Sequence, residues 1–225
     1  MSRVEVLRGG ASHLYGSGAL GGVVNIITRT PSAPSFSLEV SYGNQQTPDA
    51  TIFIGATKGK WAASLGAELF NTNGYVLVDE RERGLIDTPA GARNSTFNLS
   101  LERQITDGGR LFVRGAIFGE ARSNGTPLQT NRTHLRQLSA GGDLKLKRLG
   151  SFNIRVYGGT EVFDQNFSAV AADRNSETLT RLQRVPSQFA GVTLQWLHDV
   201  NASHTLVAGL EAREVRGASD EIVFV

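Results

Sequence analysis

Cysteine is absent from the 225 residues, and only one methionine, two tryptophans and four histidines are present. That absence excludes a disulfide scaffold, thiol catalysis and cysteine-bound zinc or iron–sulfur centres, and it leaves the redox compartment open. Charge of one sign is missing too: 23 basic side chains face 21 acidic ones, for a formal net charge of +2. The pI of about 9.1 reflects arginines scattered over the whole length. With no basic block to track a phosphate backbone, nucleic acid is not an expected partner. No apolar run reaches the roughly 18 residues of a membrane-spanning helix. Met1 to Gly10 lacks a charged start leading into an apolar stretch, so no secretory signal is expected there.

Helical periodicity is scarce, and period two takes its place. Phe36, Leu38, Val40 and Tyr42 alternate with Ser35, Ser37, Glu39 and Ser41, and Trp61, Ala63, Leu65, Ala67 and Leu69 alternate with Ser64, Gly66 and Glu68. The pattern returns at Phe97, Leu99 and Leu101, at Leu138 to Leu146, at Ile154 and Val156, at Ala190 to Trp196 and at Leu206 to Ala212. Residues 50 to 57 and 110 to 120 are less regular, because Phe53, Phe112 and Phe118 stand in the polar phase. An antiparallel all-β fold of nine strands is expected, with Glu221 to Val225 beginning a tenth.

Connection lengths alternate in a fixed order. Short turns fall at Gly59, at Thr106 to Gly109, at Arg148 to Ser151 and at His198 to Ser203, while polar stretches cover 43 to 49, 71 to 94, 121 to 134 and 164 to 186. Tight turns at one end and long loops at the other are the pattern of an outer-membrane β-barrel. A soluble sandwich produces the same alternation along its strands. Three features favour the barrel: Trp61, Trp196 and Tyr42 sit in the apolar phase near strand ends, as interfacial girdles require. Glycine and alanine are common in that phase, and a loop of about 24 residues is unusual in a compact sandwich. Such a sheet, left open, presents an edge that lipid does not tolerate.

Ahead of the first regular strand, Val4 to Arg29 forms two apolar β-type runs around a glycine-rich stretch. Gly16-Ser17-Gly18-Ala19-Leu20-Gly21 fits the dinucleotide fingerprint, which needs a helix after it to hold a pyrophosphate. The residues that follow are Val23, Val24, Ile26 and Ile27, and a β-branched run is a poor helix start. The glycines therefore read as hinges between strands.

The segments "VEVLRG" and "LYGSGALGGVVNIITR", followed by alternating strands, resemble the end of the plug domain and the start of the barrel in TonB-dependent outer-membrane receptors. The resemblance implies residues 1–30 as the C-terminal end of a plug and 31–225 as the N-terminal, incomplete part of a barrel. Barrels of this kind have about 22 strands, and at about 20 residues for each strand and its connection they need roughly 440 residues. A fragment of a longer receptor is thus expected, or a remnant without activity of its own.

The implied function is uptake of a scarce solute, such as an iron siderophore, cobalamin, haem or a carbohydrate, across the outer membrane of a Gram-negative bacterium. The implied partners are the TonB–ExbB–ExbD energy-coupling complex, outer-membrane lipid and lipopolysaccharide, and a small-molecule or metal-chelate ligand. No bond is made, so an enzyme is not expected. In the matching motif Arg8 is expected to couple plug to lumen glutamates, with Gly9, Tyr15, Gly16, Gly18, Gly21, Gly22 and Asn25 shaping the last plug strands. Glu68, Glu102 and Arg114 are candidate lumen residues. Ligand contacts are expected from the loops, with Tyr75, Arg81, Arg122, His134 and Arg174 as candidates beside Arg83, Arg93, Arg132 and Arg181, since arginine grips carboxylate and phosphate. His13, His134, His198 and His204 lack metal-ligand spacing, His198-Asp199 has no placed serine for a triad, and no cofactor is expected. A soluble or surface all-β binding module is the alternative reading.

Overall fold

The computed structural model describes residues 3–10, 20–27, 30–201 and 203–224. Two short strands, β1 (Arg3–Arg8) and β2 (Gly22–Ile27), pair antiparallel as a small separate sheet. The strands β3 (Ser35–Gly43), β4 (Thr47–Lys58), β5 (Trp61–Thr72), β6 (Ala92–Thr106), β7 (Gly109–Ser123), β8 (Thr130–Leu146), β9 (Gly150–Val170), β10 (Glu177–Asn201) and β11 (His204–Gly217) then form one meander in which each strand pairs with the next. Val23 to Ile27, which would have to open a helix in a dinucleotide site, is strand β2. Among the described residues there is no helix.

Register makes the alternation of the sequence a property of the whole sheet. One row runs Phe36, Ile54, Leu65, Leu99, Gly115, Leu138, Gly158, and its neighbour runs Ser37, Phe53, Gly66, Asn98, Ala116, Gln137, Gly159. Because side chains of successive residues leave opposite faces, one face of the sheet is aliphatic across its middle, with charged residues such as Arg93, Arg103 and Arg132 toward the strand ends, and the other is mainly polar. The aliphatic face is bare: Phe36 is 67% exposed and Leu210 76%. The described residues place no second layer against it, whereas a sandwich would bury this face. A bare apolar face on a meander is the arrangement of a membrane barrel wall, where lipid supplies the second layer. The polar face carries the β1–β2 sheet, whose Ile26 shares a cavity of about 850 Å³ with Ser37, Phe53, Asn98, Ser100 and Ser139. This is the lumen side.

Turn geometry separates the two ends. Gly59 and Lys60 close β4 to β5 with Gly59 at φ 58°, a left-handed value that glycine adopts without strain. Trp61 lies just beyond that turn on the aliphatic face, with the Arg103 guanidinium 5.0 Å from its ring centre. Trp196 lies at the same end, donating to Leu149 O at 2.6 Å and stacking on His198. Tyr42 stands on the same face at the opposite end, so an aromatic side chain marks each boundary.

Two expected loops are corrected. The stretches 121–134 and 164–186 are mostly strand, since the β7–β8 connection is only 124–129 and the β9–β10 connection only 171–176. Arg122 and His134 accordingly sit on strands. β10 is 25 residues long, well beyond the about 9 to 11 that cross a bilayer. Above the lipid both faces of a strand are wet, so pairing continues after the alternation has ended. The expected tenth strand is also different: β12 (Asp220–Val223) pairs with β10 in the same register as β11, Ser187 facing Gly217 and Arg184 facing Asp220. It continues the ninth barrel strand past a break at 218–219.

Candidate functional site: the lumen cluster and the outer loops

Four strands bring their lumen-facing residues into one row: Glu102 on β6, Phe112 on β7, Gly141 on β8 and Arg155 on β9. Phe112 is 4% exposed. Its ring packs against Gly141, where a Cβ would stand 2.8 Å from the Phe112 ring and 2.3 Å from Ile154 O. Guanidinium groups of Arg114, Arg155 and Arg110 stand 4.6, 5.6 and 6.0 Å from that ring's centre, within reach of its electron-rich face. Two acids are shared among the three cations. Glu102 accepts from Arg114 at 2.9 Å and from Arg110 at 3.2 Å, and Asp143 holds Arg110 and faces Arg155 at 3.5 Å. Thr30, on the segment leading from the β1–β2 sheet into the wall, donates to the same Glu102 carboxylate at 2.9 Å. The cluster therefore ties the entry segment to the wall through a carboxylate that is only 5% exposed.

Glu102 and Arg114 are thus together, as candidate lumen residues, while Glu68 lies on the same face nearer the loop end, opposite Thr51 and Thr96. In the first sheet, Arg8 is exposed at the end of β1 opposite Gly22, and among the described residues it forms no ion pair. Gly9 donates to Gly21 O at 3.3 Å, and Asn25 donates to Glu5 at 3.0 Å. Tyr15, Gly16 and Gly18, like His13, lie outside the described residues.

At the other end three connections interlock. Asp87, in the long β5–β6 loop, receives both Arg174 Nε and Nη2 from the β9–β10 turn, at 2.5 to 3.0 Å, and its side chain is 1% exposed. Gly84 N donates to the same carboxylate at 2.8 Å. Those Arg174 hydrogen bonds hold the Asp87 carboxyl down to about 2, below its ordinary 3.8, against the opposing effect of burial. Ile86 N donates to Arg174 O at 3.2 Å and Thr88 N to Gly125 O at 2.9 Å, so the loop also leans on the β7–β8 connection. That connection is fixed in turn by Glu177, which accepts from Thr126 Oγ1 and from Leu128 N. Tyr75, Leu77 and Leu85 remain exposed on this fixed loop, with Arg81 beside them. Arg122 faces the lumen side and pairs with Glu120 at 2.6 Å, Arg181 lies over Phe167 at 4.0 Å, and His134, Arg93 and Arg132 point to the aliphatic side.

Sequence reading passed over Phe112, Arg110, Asp143, Arg155, Asp87 and Glu177. Phe112 did carry a signal, an aromatic in the polar phase. Asp87 carried none, since its partner is 87 residues away.

A meander with an aliphatic outer face, aromatic side chains near both of its ends and a charged inner face defines the wall of an outer-membrane β-barrel. No family model matches the chain. Solved structures do: the ferric-catecholate import receptor Fiu of E. coli K12 at TM-score 0.78 and 14% identity, covering 95% of this chain and 39% of that one. The ferripyoverdine receptor of the outer membrane of Pseudomonas aeruginosa follows at 0.74 and 15%, covering 96% and 33%, and the copper transporter OprC at 0.77 and 12%, covering 97% and 34%. The fold is that of the TonB-dependent outer-membrane receptors, and the chain spans between 33% and 39% of the length of these three.

Proposed function

We propose that the chain is the plug end and first barrel strands of a receptor that imports a scarce solute through the outer membrane, with energy from the TonB–ExbB–ExbD complex. The observation that carries this reading is the pair of opposite faces: a bare aliphatic wall outside and, inside, a charged cluster that holds the entry segment through Thr30 and Glu102. Residues 1–30 are the plug end in this reading and 31–225 the wall. The solute is a ferric siderophore, the class named for two of the three similar structures, and it meets the exposed Tyr75, Leu77 and Arg81 of the fixed outer loops. The reading assigns transport with no bond-making step.

Uptake of radioactive iron presented as ferric catecholate or ferric hydroxamate chelates tests it, in cells with and without the chain's gene. Chain-dependent uptake abolished by a proton-motive-force uncoupler is expected. Uptake that is unchanged in cells without the gene, for every iron chelate and for copper, would contradict it.

A further inference from the structure

Thr30-Pro31-Ser32-Ala33-Pro34 leads from the first sheet into β3. Proline fixes φ near −65° and has no N–H to leave unpaired, so Pro31 and Pro34 stiffen this strap. Two contacts hold its near end. Thr30 donates to Glu102 of β6 at 2.9 Å, and that carboxylate is itself gripped by Arg110 and Arg114 of β7. Pro31 packs into a notch over Gly55 of β4, where a Cβ would stand 3.0 Å from Pro31 Cγ and closer still to Ser35 Oγ. The strap is therefore fixed to β4 and β6 before it becomes β3.

Ladder geometry gives the position of that hold its consequence. β1 and β2 pair with Arg3 opposite Ile27 and Arg8 opposite Gly22, so Arg3 and Thr30 lie toward the same end of the small sheet. Drawing Arg3 away from a fixed Thr30 opens that ladder one rung at a time, beginning at Arg3 and Ile27. β3 stands in the same relation to β4, because Ser35 faces Gly55 at the end where the strap arrives. A pull passed along the strap would peel β3 from β4 as readily as it opens β1 from β2. The clasp intervenes between the two ladders. A hydrogen bond to an ionised carboxylate is roughly twice as strong as one between neutral backbone groups, and Glu102 is only 5% exposed. The small sheet, by contrast, is tied within itself, Arg3 to Glu5 at 2.7 Å and Asn25 to Glu5 at 3.0 Å.

We propose that the Thr30–Pro31 clasp is a strain relief: displacement of the β1–β2 sheet ends at Thr30, and β3 stays paired to the wall. Glu102 and Gly55 are its positioning residues. The proposal rests on the reading that an energised complex displaces the plug end.

The test pulls the full-length receptor, held in a supported lipid bilayer, by a single-molecule tether on Arg3→Cys, this chain having no other cysteine. From Arg3 to Thr30 there are 27 residue steps (30 − 3), about 95 Å of extended chain at about 3.5 Å each. A stop is expected at that length. Thr30→Val removes the donor and Gly55→Ala fills the notch, and each alone is expected to lower the force at the stop. Together they are expected to abolish it, so that extension runs on to Gly43 at the end of β3, 40 steps (43 − 3) or about 140 Å. Thr30→Ser keeps the hydroxyl and is expected to keep the stop, and Asp87→Asn, in the outer loops, is expected to leave it unchanged. A wild-type chain that runs past about 95 Å without a stop would overturn the proposal, as would an unchanged stop in both single variants. Iron uptake that survives an uncoupler defeats the energised reading and the proposal together, while a stop at another length defeats the proposal alone.

Discussion

Leu99 is the residue at which the account is easiest to break. On β6 the outward positions run Arg93, Ser95, Phe97, Leu99, Leu101, Arg103, bounded by an arginine at each end. Ten residue steps separate those arginines, and at about 3.4 Å per residue and a tilt of about 40° they span about 26 Å along the membrane normal. That matches the roughly 25 Å apolar band of an outer-membrane barrel, and it puts Leu99 near the midplane. Leu99→Arg is then expected to cost about 2 to 4 kcal/mol, a roughly 30- to 900-fold shift in the folding equilibrium. Ser95→Arg, near the boundary, is expected to cost about 0 to 1 kcal/mol. Asn98→Arg, the adjacent residue on the lumen face, is expected to be nearly neutral because its charge stays hydrated. Urea titration in lipid vesicles, followed by tryptophan emission, measures all three. Equal costs at positions 98 and 99, or a cost below about 1 kcal/mol at Leu99, would refute the assignment of faces.

Other perturbations address the inner and outer ends. Gly141→Ala drives a methyl group against Ile154 O and the Phe112 ring and is expected to destabilise by about 1 to 3 kcal/mol, as overpacking does, in the same urea titration. Glu102→Ala removes the acceptor shared by Thr30, Arg110 and Arg114. Faster hydrogen exchange at the Thr30 and Ser32 amides is expected, with little change at 84 to 88. Asp87 titrates at about 2 in the folded loop against an ordinary 3.8, so the unfolded form takes up its proton first as the pH falls. Its contribution is complete above about 3.8 and disappears as the pH drops through about 2. Exchange protection of the Ile86 amide, which donates to Arg174 O, should follow that curve, and Asp87→Asn should lower it above about 3.8 and converge with the wild type as the pH falls through about 2.

The barrel wall was legible because a lipid-facing strand must alternate: the phases containing Phe36, Leu65, Leu99, Ile154 and Leu194 all fall on one face. The short turns were legible for the same reason, since they interrupt alternation with glycine and charge. The strand extensions were not, because β9 and β10 rise beyond the lipid, where Gln165, Asn166, Arg181 and Gln183 pair in the ladder without an apolar face. The lumen cluster was half legible. Glu102 and Arg114 stand in the polar phase, but only the register sets Glu102 beside Phe112 and Phe112 above Gly141. Loop partners such as Asp87 with Arg174 leave no local pattern at all.

The most direct measurement is spin-label accessibility along β6 in lipid vesicles, one position at a time from Asn94 to Glu102. Oxygen, which concentrates in lipid, is expected to relax labels at Ser95, Phe97, Leu99 and Leu101, rising toward Leu99. A water-soluble nickel chelate is expected to relax those at Asn94, Thr96, Asn98 and Ser100. Chelate contact in both phases, or oxygen contact in the even-numbered phase, would contradict a wall with lipid on one face and a lumen on the other.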